Sequence, residues 1–235
     1  MSPVVGQAGN EEGGRIAVNV LLEPDEATLE LARDLNARLR RDVPTGYAFD
    51  ETHLPHVTLL QRYVRRDDLG RALATVGDVV ARVFATIACS GAADDLSLHA
   101  DGLGGGELGT PPGTVLASVE FESQVAVGAL HEAFLRALGP LAADGGSPDA
   151  FFGLPGEPPP NDATIAYVER FVPAHSGERY APHLTVGVAR EDSLRALARE
   201  HPLASARVTP VAVAVAQLGD LGTARRVLRR WPLRP

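Results

Sequence analysis

The sequence predicts an α+β fold made of two copies of one βαβαβ unit, with mainly antiparallel sheets, a pseudo-twofold relation and a groove between two lobes. Two observations predict it. "LPHVTLLQ" (Leu54 to Gln61) and "APHLTVGV" (Ala181 to Val188) share Pro-His, an aliphatic residue, Thr and an apolar residue. Each stands at the same point in the same succession of period-2 and period-3.6 apolar patterns, as expected of a duplicated architecture.

The elements read as follows. Residues 1–13 are polar and glycine-containing and are expected to form a mobile tail. "IAVNVLL" reads as a buried strand. "PDEATLELARDLNARLR" reads as a helix, with Pro24 and acids at its start, leucines near helical period and arginines at its end. The loop "DVPTGYAFDET" leads to the first histidine strand. "RDDLGRALATVGDVVARVF" is a helix with Asp67 as its N-cap candidate, and "ATIACSG" a third strand. The second unit repeats the order: strand "TVLASVEFES", helix "QVAVGALHEAFLRALGPL", the Gly/Pro-rich loop "AADGGSPDAFFGLPGEPPPNDA", the second histidine strand, helix "REDSLRALAREHP" and strand "ARVTPVAVAVAQL". "GDLGTARRVLRRW" reads as a hairpin turn and final strand. The expected domain is single and spans 14–235: lobe 1 over about 14–92, a linker over about 93–113 with an edge strand near Leu96 to His99, lobe 2 over about 114–218, and a C-terminal hairpin and strand over about 219–235.

Composition narrows the function. The 235 residues carry a net charge of −8, and every basic residue except histidine is arginine. Such a chain lacks the broad basic field that holds long nucleic acids by counterion release. A few aimed groups still suffice for a small phosphorylated ligand. The single Cys89 excludes an internal disulfide framework and fits the cytoplasm. No signal-peptide pattern follows Met1, and no apolar run reaches the roughly 20 residues that span a bilayer. A membrane role is not expected, and the chain is expected to be monomeric.

Strand side chains alternate between faces. His56, Thr58 and Leu60 therefore share one face, and His183, Thr185 and Gly187 share another. Val57, Leu59, Leu184 and Val186 are left to bury against helices. Side by side, the two strands would put two imidazoles and two hydroxyls in one groove. That set suits phosphoester chemistry: one neutral imidazole takes a proton from an attacking oxygen, and an imidazolium protonates the leaving oxygen. The threonine hydroxyls donate to non-bridging phosphate oxygens. No cofactor or metal is called for.

The paired "HVTL" and "HLTV" resemble the motifs of the two-histidine phosphoesterase superfamily, in its 2′-5′ RNA ligase-like and cyclic phosphodiesterase branch. "QLGDLGTARRVLRRW" is similar to the closing segment of many members, and the resemblance runs from about Ile16 to Trp231. It implies a bilobal fold and hydrolysis of a cyclic phosphodiester, such as a nucleoside or RNA-terminal 2′,3′-cyclic phosphate. It also implies possible 2′-5′ joining in reverse, and His56, His183, Thr58 and Thr185 as the catalytic set. A non-catalytic nucleotide or RNA-end binding module and a metal-assisted hydrolase are the alternatives.

Further candidates are weaker. Arg62 falls on the His56 face if that strand runs without a bulge, which makes it a phosphate-binding candidate. Tyr180, Tyr47 and Phe49 flank the motifs and could stack on a base or pack at loop edges. Phe151 and Phe152 could form a lid or anchor their loop. His53 and His56 form H-x-x-H, yet on a strand they point to opposite faces, so no metal site is expected. "GGGELG" matches G-x-G-x-x-G but lacks a following helix and reads as a loop. His99, His131, His175 and His201 read as surface or loop residues.

Overall fold

A computed structural model describes residues 14–90, 96–201, 203 and 206–233. The expected tail over 1–13 lies outside the described residues. The strands are β1 (Arg15–Glu23), β2 (Val57–Arg65), β3 (Leu98–Gly106), β4 (Thr114–Phe121), β5 (Ala142–Ala143), β6 (His183–Arg190), β7 (Arg207–Val208), β8 (Ala212–Leu218) and β9 (Ala224–Pro232). The helices are α1 (Glu26–Asp42), α2 (Leu69–Ser90), α3 (Val125–Leu138), α4 (Asp162–His175) and α5 (Glu191–Glu200).

All strands pair antiparallel in one sheet, in the order β7-β3-β4-β6-β2-β1-β8-β9, with β5 beside β2. The histidine strands β2 and β6 meet at its centre through the pair Val57↔Leu184. On either side the two halves mirror one another: β1 lies beside β2, and β4 beside β6. The next strand outward is exchanged between halves. β3 follows α2 yet pairs with β4, while β8 closes the second half yet pairs with β1. The duplicated units are thus interlocked. Helix α1 of the first half packs behind β6 of the second, and α3 of the second behind β2 of the first.

The main core lies between the sheet and these helices, with Leu35, Leu39, Val57, Leu59, Leu60, Val79, Leu130, Phe134, Leu184 and Val186 buried in it. Helix α1 starts where the Asp25 carboxylate accepts from the Thr28 N–H (2.9 Å), satisfying one of the amides a helix start leaves free.

Four expectations need correction. "ATIACSG" is not a third strand: through Ser90 it continues α2, whose register is set by Ala72, Val76, Val79 and Val80 at helical spacing. Asp67 lies inside the short 3₁₀ turn Arg66–Asp68, not at an N-cap. The expected linker holds a full strand, β3, whose glycines Gly104 to Gly106 pair with Ser118 to Leu116; residues 91–95 lie outside the described ones. The strand "ARVTPVAVAVAQL" divides into β7 and β8 at Pro210, because proline has no N–H to give a ladder.

No sequence-based expectation covers α4. Asn161 caps it by accepting from the Thr164 N–H (2.8 Å), and Pro173 sits in its last turn. Unlike α1 and α3, it packs on the opposite face of the sheet, where Val168 and Ile165 meet Ala17, Tyr63, Phe151 and Leu218.

Candidate active site

The antiparallel register at Val57↔Leu184 brings the two motifs together. One step to either side sets His56 opposite Thr185 and Thr58 opposite His183. All four side chains line one groove of about 290 Å³ on the sheet face that carries α4. Both imidazoles are held in the same way. His56 Nδ1 hydrogen-bonds the Leu54 carbonyl (2.8 Å), and His183 Nδ1 the Ala181 carbonyl (3.0 Å). In each case the acceptor lies two residues back, across the intervening Pro55 or Pro182. A carbonyl accepts only, so each Nδ1 carries the proton and each Nε2 is left for a ligand. The prolines thus shape the orienting turn as well as starting the strands.

A bulge repeats in both copies three residues after the histidine. Val20 pairs with Leu60 but Leu21 with Thr58, so Leu59 is the extra residue of β2. Ala117 pairs with Gly187 but Ser118 with Thr185, so Val186 is the extra residue of β6. A helix side chain holds each extra carbonyl: His131 of α3 donates from Nδ1 to Leu59 O (2.6 Å), and Asn36 of α1 donates from Nδ2 to Val186 O (2.9 Å). Gly187 has φ +145°, and a Cβ there would sit 2.9 Å from Asn36 Nδ2, so the bulge of β6 calls for glycine.

The bulge inverts the alternation beyond it. Gln61 turns into the groove, and Arg62 turns to the helices. Arg62 therefore does not share the His56 face. It is 6% exposed, its Nη1 donates to the Leu138 carbonyl at the end of α3, and burial pulls its pKa down. Tyr180 lines the groove, with its ring stacked on His131 (4.0 Å between centroids) and its hydroxyl donating to the Thr58 carbonyl (2.9 Å). Tyr47 and Phe49 lie in a small cavity beside His56 and Thr185, where Tyr47 stacks on His53.

Several residues in or behind the groove were not among the sequence candidates. Asn19 is fully buried on β1 and donates from Nδ2 to Thr58 Oγ1 (3.2 Å), which leaves the threonine proton for a ligand. A lone polar residue inside "IAVNVLL" was the available signal. Helix α4 brings Tyr167, Phe171 and His175, spaced four apart on one face, and the turn after it brings Arg179. Arg179 donates from Nη2 to the Pro173 carbonyl (2.6 Å). The turn Asp220–Gly222 adds Leu221 and Gly222. Glu120 pairs with His183 across β4 and β6 and lies over Gly104, where a Cβ would clash with its carboxylate.

Two further corrections follow. His131 is not a surface residue: it is 1% exposed, and burial lowers its pKa. His175 is not a loop residue: it ends α4 in contact with Tyr167 and Phe171, and its pKa is lowered by burial and then by the charges of His183 and Arg179. His53 pairs with Asp50 (3.1 Å). Among the described residues, no three His, Cys, Asp or Glu side chains group to hold a metal ion.

His56 is the more enclosed of the motif histidines. Burial pulls its pKa down to about 4; its bond to Leu54 opposes this shift, and the charge of His183 adds to it. At neutral pH its imidazole is therefore uncharged, with Nε2 free to accept a proton.

Among solved structures, the chain is similar to that of Kluyveromyces marxianus Usb1, with a TM-score of 0.41 at 11% identity, over 93% of this chain and 97% of that one. No family model and no curated protein matches the sequence. No helix among the described residues is long and apolar enough to cross a membrane.

Proposed function

We propose that the protein is a metal-independent two-histidine phosphoesterase that opens a cyclic phosphodiester, such as a nucleoside or RNA-terminal 2′,3′-cyclic phosphate. One observation carries the reading: two His-x-Thr motifs share one groove, and each imidazole is oriented through Nδ1 by a carbonyl two residues back. A fold that merely buried two polar strands would have no need to orient both rings alike.

In the proposed reaction, His56 Nε2 takes a proton from a water as its oxygen attacks phosphorus. The bond from phosphorus to one ribose oxygen breaks, and the imidazolium of His183 protonates that oxygen. A nucleoside monophosphate leaves, and exchange of protons with water restores both rings. The uncharged imidazole of His56 at neutral pH supports its role as the base, since its Nε2 can accept a proton. Thr58 and Thr185 donate to the non-bridging oxygens. Arg179, in place of Arg62, supplies a positive charge at the groove. Tyr180 acts chiefly through the backbone of Thr58. The small groove and the acidic chain favour a single nucleotide or RNA end over a long strand. The single cysteine fits a reducing compartment such as the cytoplasm.

The test is incubation of the purified protein, in chelator, with a panel of 2′,3′-cyclic nucleotides and cyclic-phosphate-ended RNAs, followed by identification of the products. Ring opening that is lost in both His56→Asn and His183→Asn supports the proposal. Binding without product would instead favour a sensor, and strict dependence on added divalent metal a metal-assisted hydrolase.

A further inference from the structure

Among the described residues, Leu221 is the one non-glycine with positive φ (56°, with ψ 25°). A γ-branched side chain gains nothing from the left-handed region and pays in contact between Cβ and its own backbone. Something must hold it there, and the surroundings do so from both sides. The Asp220 carboxylate accepts from the Asn161 N–H (3.0 Å), Asn161 Nδ2 (2.9 Å) and Thr164 Oγ1 (2.9 Å) at the start of α4. The Leu221 N–H donates to Thr164 Oγ1 (3.0 Å). Behind it, the Thr223 hydroxyl donates to the Asp220 carbonyl (2.8 Å). The turn between β8 and β9 is thus latched to the helix that carries Tyr167, Phe171 and His175 into the groove.

The strain also has a location. Leu221 lines the catalytic groove together with the aromatic residues of α4, and it borders the cavity that holds His56 and Thr185. Glycine would fit this backbone without cost, as it does at the next residue, Gly222 (φ +70°). A leucine there makes sense if its side chain is what the position supplies. Backbone strain of this kind points to function when the surrounding structure over-determines it.

We infer that Leu221 is a specificity-determining residue, held by the Asp220 latch as an apolar wall, so that the group carried by the phosphate is a flat ring packed against Leu221 and the α4 aromatics. The inference rests on the phosphoester reading of the groove, but its test needs no turnover. Calorimetry would compare adenosine 3′-monophosphate with ribose 3-phosphate, which has the phosphate and sugar but no ring. Wild type is expected to bind the nucleotide at least about 10-fold more tightly, the low end for an apolar pocket contact. Leu221→Gly should bring the two ligands close to parity, leave the ribose phosphate affinity unchanged, and hold or raise the melting temperature as the strain is released. Leu221→Ala, which keeps a Cβ and the strain, should lose the preference without the thermal gain. The inference is overturned if wild type shows no preference, or if a folded Leu221→Gly or Leu221→Ala protein keeps it. A wild type that shows the preference yet opens no cyclic phosphate would overturn the phosphoesterase reading and leave the role of Leu221 standing.

Discussion

Replacing His56 with Asn separates the titration of this half-buried imidazole from the rest of the fold. The asparagine amide retains a donor near the position of Nδ1, so the bond to the Leu54 carbonyl has a substitute, and the titrating group is gone. In the unfolded chain a histidine titrates near 6.5; in the folded protein burial takes His56 to about 4. Protonation therefore favours the unfolded state. The stability that His56 contributes is fully present above pH 6.5 and is lost as pH falls toward 4. Between pH 7.5 and pH 5 the loss comes to roughly 2 kcal/mol for this one group. Urea unfolding of both proteins at the two pH values measures it. Wild type should lose about 2 kcal/mol more than His56→Asn over that interval. The same pH dependence in both proteins would refute the burial argument, and with it the assignment of His56 as a neutral base.

Other outcomes are equally definite. His183→Asn should lower kcat/KM by at least about 10²-fold, the low end for general acid–base catalysis, in a chelator-containing rate assay. Arg179→Met should raise KM roughly 10-fold with little change in kcat, as expected when a charge-assisted contact to bound phosphate is lost, whereas Arg62→Met should leave KM unchanged. Tyr180→Phe keeps the ring on His131 but removes the bond to the Thr58 carbonyl, and should cost about 0.5–1.5 kcal/mol in denaturant unfolding. Gly187→Ala, forced to φ +145° against Asn36, should cost about 1–3 kcal/mol in the same measurement.

The sequence revealed the parts of the site that depend on short-range periodicity. His56 and Thr58, and His183 and Thr185, lie one alternation apart, and the aliphatic residues between them had to be buried. The duplication implied that the two pairs would meet. Features that depend on long-range pairing were not legible. At the bulges of Leu59 and Val186 the extra carbonyls are held by His131 and by Asn36 respectively, both far away in sequence. Without that knowledge, simple alternation assigns Arg62 to the groove and hides Gln61. The exchange of β3 and β8 between halves leaves no local trace either. Helix α4 was obscured by the proline-rich segment before it and by Pro173 within it, and with it went His175 and Arg179. The left-handed Leu221 has no signature in "GDLGT", where the adjacent glycines already suffice to predict a turn.

The most direct measurement is the product formed from a 2′,3′-cyclic nucleotide in chelator by wild type, His56→Asn and His183→Asn, with folding of each variant verified by circular dichroism. Two imidazoles acting on one phosphate predict a nucleoside monophosphate from wild type and a loss of at least about 10²-fold in each variant. Full activity in either folded variant would contradict it.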